Sequence, residues 1–217
     1  MKTSIKLAAM LTAFAVAGSS SAAVINFQTG FSDAGAQLNA AAYQSVVDAA
    51  VSVASAGYGS GVLSSYDNVS NQSIFGGSSS NIAFKSTINF GVTAADAGSW
   101  QFRAGVDFGK GGAVFLDGHA VSTNTSDMWW AGNYGNTSSV FAFGSNLSAG
   151  NHTVTIYGLE GCCDGGQQVQ FNPGSGFQSF SAGSLAPVPE PETYGMLLAG
   201  LGFVGFVARR RKARNAA

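Results

Sequence analysis

Apolar and polar side chains alternate along much of the chain between residues 82 and 108, a pattern typical of antiparallel strands with one buried face. The apolar positions of the two longest runs are Ile82, Phe84, Ile88, Phe90, Trp100, Phe102, Ala104, Val106 and Phe108. Shorter apolar runs predict further strands at Ala113–Leu116, Val140–Phe143, His152–Leu159, Val169–Phe171 and Phe177–Phe180. Asp117-Gly118, followed by Ala120-Val121, predicts a tight hairpin. Seven or more short strands at this spacing predict an antiparallel β-sandwich.

The segment before these strands has a different pattern. Asp33 could cap a helix that runs from Gly35 to Ala56 and ends before Gly57. Its apolar stripe would consist of Leu38, Ala42, Val46, Ala49 and Val53. Residues 58–80 are rich in Gly, Ser and Asn, which predicts loops around one or two short strands. We therefore expect one helix beside a mainly β domain.

Composition narrows the class of protein. The 217 residues are 46% hydrophobic and only 10% charged, which excludes a disordered charged tail and a polytopic membrane protein. Residues 24–186 contain three basic and nine acidic side chains, which gives this segment a net charge of −6. Nucleic acid is therefore not expected as a partner.

Residues 1–23 have the features of an export signal. Two lysines precede an apolar run from Leu7 to Ala17, and small residues follow where a signal peptidase would cut, after Ala22 or Ala23. The alternative is a first amphipathic helix of the domain, but the run has no polar face. We expect residues 24–186 to form the exported domain.

The C-terminal region is divided into three parts. Residues 187–193 are a linker whose three prolines exclude a helix or sheet. Tyr194–Ala208 is a stretch of fifteen residues without a charge, about 22 Å long as a helix and marginal for crossing a bilayer. The basic cluster that follows is Arg209, Arg210, Arg211 and Lys212. We interpret 194–212 as a transmembrane helix with a basic stop on the cytoplasmic side; a buried helix of the domain is the alternative.

The tail also resembles a known sorting signal. The sequence Val188-Pro189-Glu190-Pro191, then a Gly-rich apolar helix and a basic stop, resembles the PEP-CTERM signal of Gram-negative bacteria, whose carriers are handled by exosortase enzymes. The resemblance implies temporary anchoring in the inner membrane and cleavage near the Pro-Glu-Pro triplet. Release or transfer to the cell surface or extracellular matrix would follow. It implies nothing about the domain upstream.

Two stretches of the domain resemble the PA14 and GLEYA sandwiches of bacterial surface proteins and yeast adhesins. They run from Ala97 to Gly118 and from Leu147 to Tyr157. In that group, paired aspartates at the end of a strand hold calcium for sugar binding. Here the corresponding pair is Asp107-Phe108, so one ligand is missing. The resemblance implies a carbohydrate-recognition domain, with calcium as its one candidate cofactor.

The two cysteines of the chain are adjacent, at Cys162 and Cys163. Outside the cytoplasm they would be driven to oxidise, and adjacent Cα atoms lie only about 3.8 Å apart, so a bridge between them would be strained and relatively reducible. Such a bridge could support a ligand loop or simply lock a turn. With the tail, Cys162-Cys163-Asp164-Gly165 resembles a group of PEP-CTERM proteins named for a Cys-Cys-x-Gly motif. Zinc is not expected, because it normally needs four ligands.

Acidic and aromatic side chains are the other candidates for a site. Asp107, Asp117, Glu160 and Asp164 lie near predicted strand ends and could bind calcium or merely shape turns. Asp107 and Asp117 are the candidate metal ligands. Trp129-Trp130 lies in a polar loop, where indoles can stack on sugars or close the end of the sandwich as core. Trp129, Trp130 and Asp164 are the candidate ligand-binding residues.

Three functions are consistent with these features. The first is an exported adhesive or carbohydrate-recognition domain, without catalytic residues, that binds extracellular polysaccharide. The second is a hydrolase of such polymers, which would need two carboxylates about 5 to 9 Å apart in a groove. The third is a purely structural protein of the biofilm matrix. No Gly-x-Ser-x-Gly, His-Glu-x-x-His or phosphate-loop motif occurs, and His119 and His152 are interpreted as solvated or hydrogen-bonded.

Overall fold

The alternating segments form antiparallel strands in two packed sheets, in a computed structural model that describes residues 23–185 and 198–204. The strands within these residues are β1 (Val24–Phe31), β2 (Ser60–Leu63), β3 (Ser80–Val92), β4 (Gly98–Gly105), β5 (Asp107–Phe108), β6 (Gly112–Leu116), β7 (His119–Asn124), β8 (Met128–Trp129), β9 (Val140–Leu147), β10 (Gly150–Cys162), β11 (Gln168–Asn172) and β12 (Gln178–Ser179). The prediction of a mainly β, antiparallel sandwich is confirmed.

The larger sheet has six strands in the order β2-β1-β3-β10-β6-β7, and the smaller has four in the order β12-β11-β4-β9. The long strands β3 and β10 are central to the first sheet and pair from Gly150↔Val92 to Cys162↔Ser80. Strands β5 and β8 form a separate two-stranded ladder, in which Asp107 pairs with Trp129. This short ladder lies near the Glu160 end of β10, which is where the candidate site is found.

The core between the sheets is mainly aromatic. The inward positions that the alternation predicted are buried, and they include Phe84, Phe90, Trp100, Phe102 and Phe108. Rings of the two sheets contact each other; for example, the centroids of Phe90 and Phe102 are 6.0 Å apart. Large rings bury extensive apolar area, so this packing holds the sheets together.

The predicted hairpin is present between β6 and β7. Asp117 and Gly118 both have positive φ angles, 50° and 79°, as expected for a two-residue turn that follows the twist of the strands. Asp and Gly tolerate this conformation better than most residues, which explains why the sequence identified the turn.

The helix is shorter than the sequence predicted. It runs from Ala40 to Val51 (α1), and its N-cap is Asn39, not Asp33. The predicted stripe was also wrong: Ala40, Tyr43 and Val47 are buried, whereas Leu38 is 94% exposed. Helix α1 packs on the outer face of the six-stranded sheet, against Ala83, Ala113, Phe115, Tyr157 and Leu159. The Tyr43 hydroxyl, which donates to Lys110 O at 2.7 Å, sets which face turns inward.

Two strands and one α-helix were not predicted, namely β1, β8 and α2. Strand β1 pairs with β3 over its whole length, from Val24↔Asn89 to Phe31↔Ile82. A short helix, α2 (Asn71–Phe75), begins at Ser70, whose side chain accepts from the backbone N–H of Ser73. The sequence pattern suggested no element for the residues of β1, and α2 and β8 lie in segments that were expected to be loops.

Several predictions concern residues outside those described. These are the signal peptide up to residue 22, the 187–193 linker with Val188, Pro189, Glu190 and Pro191, and the basic stop from Arg209 to Lys212. Of the predicted transmembrane helix, only residues 198–204 are described; they are helical and exposed. No helix among the described residues has the length and apolar character needed to cross a bilayer.

Gly30 of β1 is where the helix and sheet approach most closely. A β-carbon at this position would overlap the backbone of Ala50 in α1. We expect Gly30→Ala to force the helix away from the sheet and to lower the free energy of unfolding by about 1 to 3 kcal/mol, as overpacking does elsewhere. Chemical denaturation followed by circular dichroism measures this effect. Gly35→Ala, with no atom within 4 Å of its new β-carbon, is the control. Equal stability of the two variants would contradict the close approach.

Candidate functional site

A cleft of about 230 Å³ opens beside the end of β10. Its lining side chains come from the β5–β6 region, from the segment before β8 and from the end of β10. They are Asp107, Gly109, Asp127, Trp129, Glu160, Cys162 and Cys163. Three carboxylates, one indole and a pair of sulfur atoms therefore meet at one end of the sandwich.

Glu160 is the most deeply buried acid of the cleft, with 3% of its surface exposed. One carboxylate oxygen accepts from the backbone N–H of Gly109, and the other accepts from the N–H of Cys162 at 2.7 Å. Gly109 has room for no side chain of its own, because a β-carbon would lie 2.9 Å from the Glu160 carboxylate. Glu160 thus joins the turn after β5 to the end of β10.

Asp107 lies next to this carboxylate and is 6% exposed. Burial, followed by the negative charges of Glu160 and Asp127, raises the pKa of Asp107 to about 7. A hydrogen bond from the backbone N–H of Gly165 acts in the opposite direction. The cleft therefore contains a carboxyl group that changes its charge near neutral pH.

The predicted bridge between Cys162 and Cys163 is present, and both cysteines are exposed at the cleft. The backbone N–H groups of Cys163 and Asp164 both donate to Ser79 O, at 2.7 and 3.0 Å. Cys163 has a φ of 75°, the left-handed conformation that a residue with a β-carbon seldom adopts. The sulfur pair thus forms a fixed edge of the cleft.

Asp164 was expected to contact a ligand, but the structure places it differently. Its Oδ2 accepts from the backbone N–H of Gln72 at 2.7 Å, in the first turn of α2. Burial raises its pKa, and hydrogen bonds from the start of α2 oppose that change. Asp164 does not line the cleft and instead attaches α2 to the disulfide turn.

The two adjacent tryptophans have different surroundings. Trp129 is 67% exposed and lines the cleft. Trp130 is partly buried, lies over Gly105 of β4 and contacts Tyr134 with ring centroids 5.2 Å apart. Trp130 lines a second groove, which does not include Trp129. The sequence left both the binding and the core interpretation open for this pair; in the structure Trp129 is exposed and Trp130 is partly buried.

Asp117 and Asp107 do not form one metal site, contrary to their pairing in the sequence analysis. Asp117 lies at the opposite end of β10, where its carboxylate accepts from the Thr153 N–H at 2.8 Å and bonds His152 Nδ1 at 2.7 Å. His152 Nε2 in turn bonds Ser148 O at 2.9 Å, and His119 Nδ1 bonds Asp117 O at 3.0 Å. This cluster shapes the hairpin and the start of β10.

Asp127 and Gly109 also line the cleft, although no sequence pattern indicated them. Asp127 precedes β8, a two-residue strand that has no alternation to reveal it. Gly109 contributes only its backbone N–H, which no side-chain motif can indicate. Across residues 23–185 and 198–204, no three His, Cys, Asp or Glu side chains are arranged to hold a metal ion.

Comparison with known families identifies the tail. Residues 187–212 match the PEP-CTERM protein-sorting motif. The resemblance inferred from Val188, Pro189, Glu190 and Pro191 is therefore confirmed for this segment. No curated protein matches the chain.

Comparison with solved structures identifies the fold of the described domain as PA14-like. A PA14 sugar-binding domain from an RTX adhesin aligns with a TM-score of 0.51 at 13% identity, covering 77% of this chain and 99% of its own. The PA14 domain of the MpAFP antifreeze protein has a TM-score of 0.48 at 13% identity, with 76% and 91% covered. The epithelial adhesin 9 A domain of Candida glabrata has a TM-score of 0.43 at 8% identity, with 75% and 88% covered.

The raised pKa of Asp107 predicts how stability changes with pH. An unfolded aspartate loses its proton near pH 4, whereas the folded protein holds it to about pH 7, so stability falls as the pH rises through this window. Asp107→Asn removes this titration. We expect the stability of the unaltered protein relative to this variant to fall by about 2 to 4 kcal/mol between pH 4 and pH 8. Urea denaturation at both pH values measures it.

Exposed Asp33→Asn, outside the cleft, is the matched control, and its stability should follow that of the unaltered protein. Asp164 titrates in the same direction but is common to all three proteins, so it cancels in the comparison. A constant difference between the unaltered protein and Asp107→Asn across the pH range would contradict a raised pKa.

The disulfide gives a separate prediction. In protein exported to the periplasm of an expression host, we expect neither cysteine to react with iodoacetamide until a reductant is added, because both sulfur atoms are bonded to each other. Mass spectrometry before and after reduction checks this. Labelling without reduction, or a cysteine-linked dimer, would be incompatible with the bridge.

Proposed function

We propose that this protein is an exported carbohydrate-recognition protein of adhesive type, and that the Trp129 cleft is its binding site. The exposed Trp129 indole beside buried carboxyl groups is the observation that carries this proposal. An indole can stack on the apolar face of a sugar ring, and carboxylates can accept hydrogen bonds from the hydroxyl groups of the sugar. The PA14-like fold, which a sugar-binding domain shares, supports the proposal without establishing it.

The display of Trp129 is fixed by its backbone. Its residue pairs with Asp107 in the β5–β8 ladder, and its carbonyl accepts from Asn136 Nδ2 at 3.4 Å. The exposed indole at the edge of the cleft offers a flat apolar surface that a sugar ring could cover. A ring held in place before binding also loses less conformational freedom when a sugar arrives.

Delivery to the cell surface is the second part of the proposal. Export would depend on residues 1–23, and the PEP-CTERM motif at 187–212 would bring the protein to exosortase at the inner membrane of a Gram-negative bacterium. Residues 194–212 would anchor it there until cleavage near Pro189–Pro191. The described part of this segment presents Leu198, Leu201, Phe203 and Val204 to its surroundings, a face that lipid would cover.

Calcium fits the cleft poorly. Phe108 occupies the place of a second aspartate, and its ring is buried against Phe84 with centroids 5.4 Å apart, so it supplies no ligand. Both oxygens of Glu160 already accept backbone N–H groups. The proposal therefore includes no contact through a metal ion, and sugar binding should persist in a chelator.

A polysaccharide hydrolase is the second candidate. Asp107, with a pKa raised to about 7, shares the cleft with Glu160, and glycosidases use one carboxylic acid with one carboxylate. The hydrogen bonds of Glu160 argue against this role, because a catalytic carboxylate must reach the substrate or its water. Glu160 is instead saturated by two donors and almost fully buried. Asp127 is a third carboxylate of the cleft, so the choice between the two functions rests on the exposed Trp129 indole, which favours recognition, and on the assay for released reducing ends given below.

Trp129→Ala tests the site. On an array of neutral and acidic oligosaccharides, residues 24–186 should bind a subset of glycans, and this variant should weaken binding about tenfold, or about 1.4 kcal/mol, by removing the stacking surface. Calorimetry with the strongest array ligand measures the change. Leu38→Ala, which removes an exposed apolar side chain that does not line the cleft, should bind normally.

The same assay separates the alternatives. No binding to any glycan would contradict the proposal and favour a structural matrix protein. Loss of binding in EDTA, restored by millimolar Ca²⁺, would show that a metal is needed after all. Release of new reducing ends from the bound polymer, abolished in Asp107→Asn, would indicate a hydrolase.

A further inference from the structure

A second groove, larger than the first, lies beside Trp130. Its volume is about 500 Å³, and it is lined by Asp67, Asn68, Trp130, Ala131, Gly132, Gly166 and Gln168. None of these residues lines the Trp129 cleft. The groove is polar and open, and the proposed function does not use it.

Trp130 is held in this groove by its contacts. A β-carbon at position 105 would overlap three ring atoms of the indole, so the indole packs directly on the β4 backbone and only glycine fits there. Tyr134 contacts the same ring, and the Tyr134 hydroxyl donates to Gln168 O at 3.2 Å. Within the described part of the chain, the buried Trp130 Nε1 atom has no hydrogen-bond partner. Ring packing therefore fixes the indole at the wall of the groove.

A chain of hydrogen bonds orients the polar side of the groove. Arg103 Nε donates to Gln170 Oε1 at 2.7 Å, and Gln170 Nε2 donates to Gln168 Oε1 at 3.2 Å. Gln168 Nε2 then donates to Asp67 Oδ1 at 2.5 Å. Arg103 itself is fixed between two rings, 3.8 Å from the centroid of Tyr134 and 3.9 Å from that of Phe177. These contacts hold the exposed carboxylate of Asp67 in a fixed orientation at the end of the chain of hydrogen bonds.

The chemistry of the lining selects neutral, hydroxyl-rich ligands. Asp67 is the one charged side chain among the lining residues, and it is negative. Asn68 and Gln168 add amide groups, and Gly132 and Gly166 add accessible backbone. Asn68 has a φ of 52°, and its amide oxygen lies against Gly166. Carboxylate and amide groups pair with sugar hydroxyls, an indole with a sugar face, and an acidic sugar would be repelled.

The two grooves are adjacent along the same loop segments. Trp129 and Trp130 are consecutive, and each lines one of the two grooves, so the grooves meet at this loop. The segment after β10 contributes Cys162 and Cys163 to the first groove and Gly166 and Gln168 to the second. Between them, Gly165 passes directly against the Asp107 carboxyl. A ligand that spans both grooves must therefore be a chain longer than one sugar.

We propose that the Trp130 groove is a second subsite, and that the ligand is an extended neutral polysaccharide whose consecutive units occupy both grooves. This inference rests on the proposed function of the Trp129 cleft. It assigns Trp130 as the stacking platform and Asp67 as the hydroxyl acceptor of the second subsite. The protein would then recognise the length of a polymer chain and not its terminal sugar.

Calorimetry with the full domain and β-1,4-linked gluco- and manno-oligosaccharides tests it. A neutral hexasaccharide should bind at least tenfold more tightly than the corresponding disaccharide, because only the longer chain reaches both grooves. Trp130→Ala should reduce hexasaccharide affinity to that of the disaccharide and leave disaccharide affinity unchanged. Trp129→Ala should weaken both. A hexamer of galacturonic acid should bind more weakly than the neutral hexamers.

A second variant tests the same subsite in case Trp130→Ala does not fold. Asp67 is exposed, so Asp67→Ala should retain the thermal unfolding midpoint and still lose the advantage of the longer chain. Gln101→Ala, exposed on the same strand as Arg103 but outside both grooves, should change neither affinity.

The results that would contradict the second subsite differ from those that would contradict the proposed function. Equal affinity of the unaltered protein for disaccharide and hexasaccharide, or normal hexasaccharide binding by both groove variants, would overturn the second subsite alone. Failure of the unaltered protein to bind any of these oligosaccharides or any glycan of the array would overturn the proposed function and this inference together.

Discussion

A buried carboxylate at position 160 determines the arrangement of the whole binding end of the molecule. An ion that is removed from water destabilises a fold by several kcal/mol unless its oxygens find donors. Glu160 finds them in the backbone N–H groups of Gly109 and Cys162. These donors belong to different segments, so satisfying one side chain fixes the turn after β5 relative to the end of β10. The Trp129 cleft is the space that this arrangement leaves.

The segment from 160 to 168 extends the same principle, because several of its residues bind to other parts of the domain. Cys163 and Asp164 bind Ser79 through their backbones, and the Asp164 carboxylate holds the start of α2. Gln167 exchanges backbone hydrogen bonds with Val69, at 2.8 and 3.0 Å. A loop with so many partners is rigid without being regular. Both grooves share it as a wall, so their relative position is fixed by hydrogen bonds and does not depend on loop flexibility.

The sequence was informative about the sandwich because burial on one face of a strand leaves alternation, and Ile82 to Phe108 shows that alternation clearly. It was less informative where both faces are covered. Helix α1 lies on the outer face of the large sheet, so Ala83 is buried although alternation places it outside. Strand β1 was missed because its inward face, after Ile25 and Phe27, continues with a polar but buried Thr29, and its outward face carries Gly30 against α1. The start of α1 is set locally, because the Asn39 side chain accepts from the Ala42 N–H, whereas the burial of Tyr43 depends on its distant contact with Lys110 O.

The sequence indicated which types of residue the candidate site contains, but not which of those residues lie together. Trp129, Asp107 and the cysteines were singled out, and they do line one cleft, whereas Asp117 lies at the far end of β10 and Asp164 caps a helix that the sequence did not reveal. Distances along a sheet explain this. Two acids at strand ends meet only if those ends lie at the same edge, and the order of strands is set by nonlocal pairing that a single sequence does not display.

The charge of Asp107 depends on which other residues lie beside it in the cleft. Asp107 alone at a strand end would be an ordinary exposed carboxylate, but beside Glu160 and Asp127 and out of water its pKa is raised to about 7. At neutral pH it therefore exists in both forms, and each form offers a sugar a different partner: the acid donates a hydrogen bond, whereas the carboxylate accepts one. A ligand that presents a hydroxyl donor favours the carboxylate and so lowers this pKa on binding. Because the same burial that forms the groove raises this pKa, a ligand that prefers one of the two forms shifts the protonation of Asp107 when it binds.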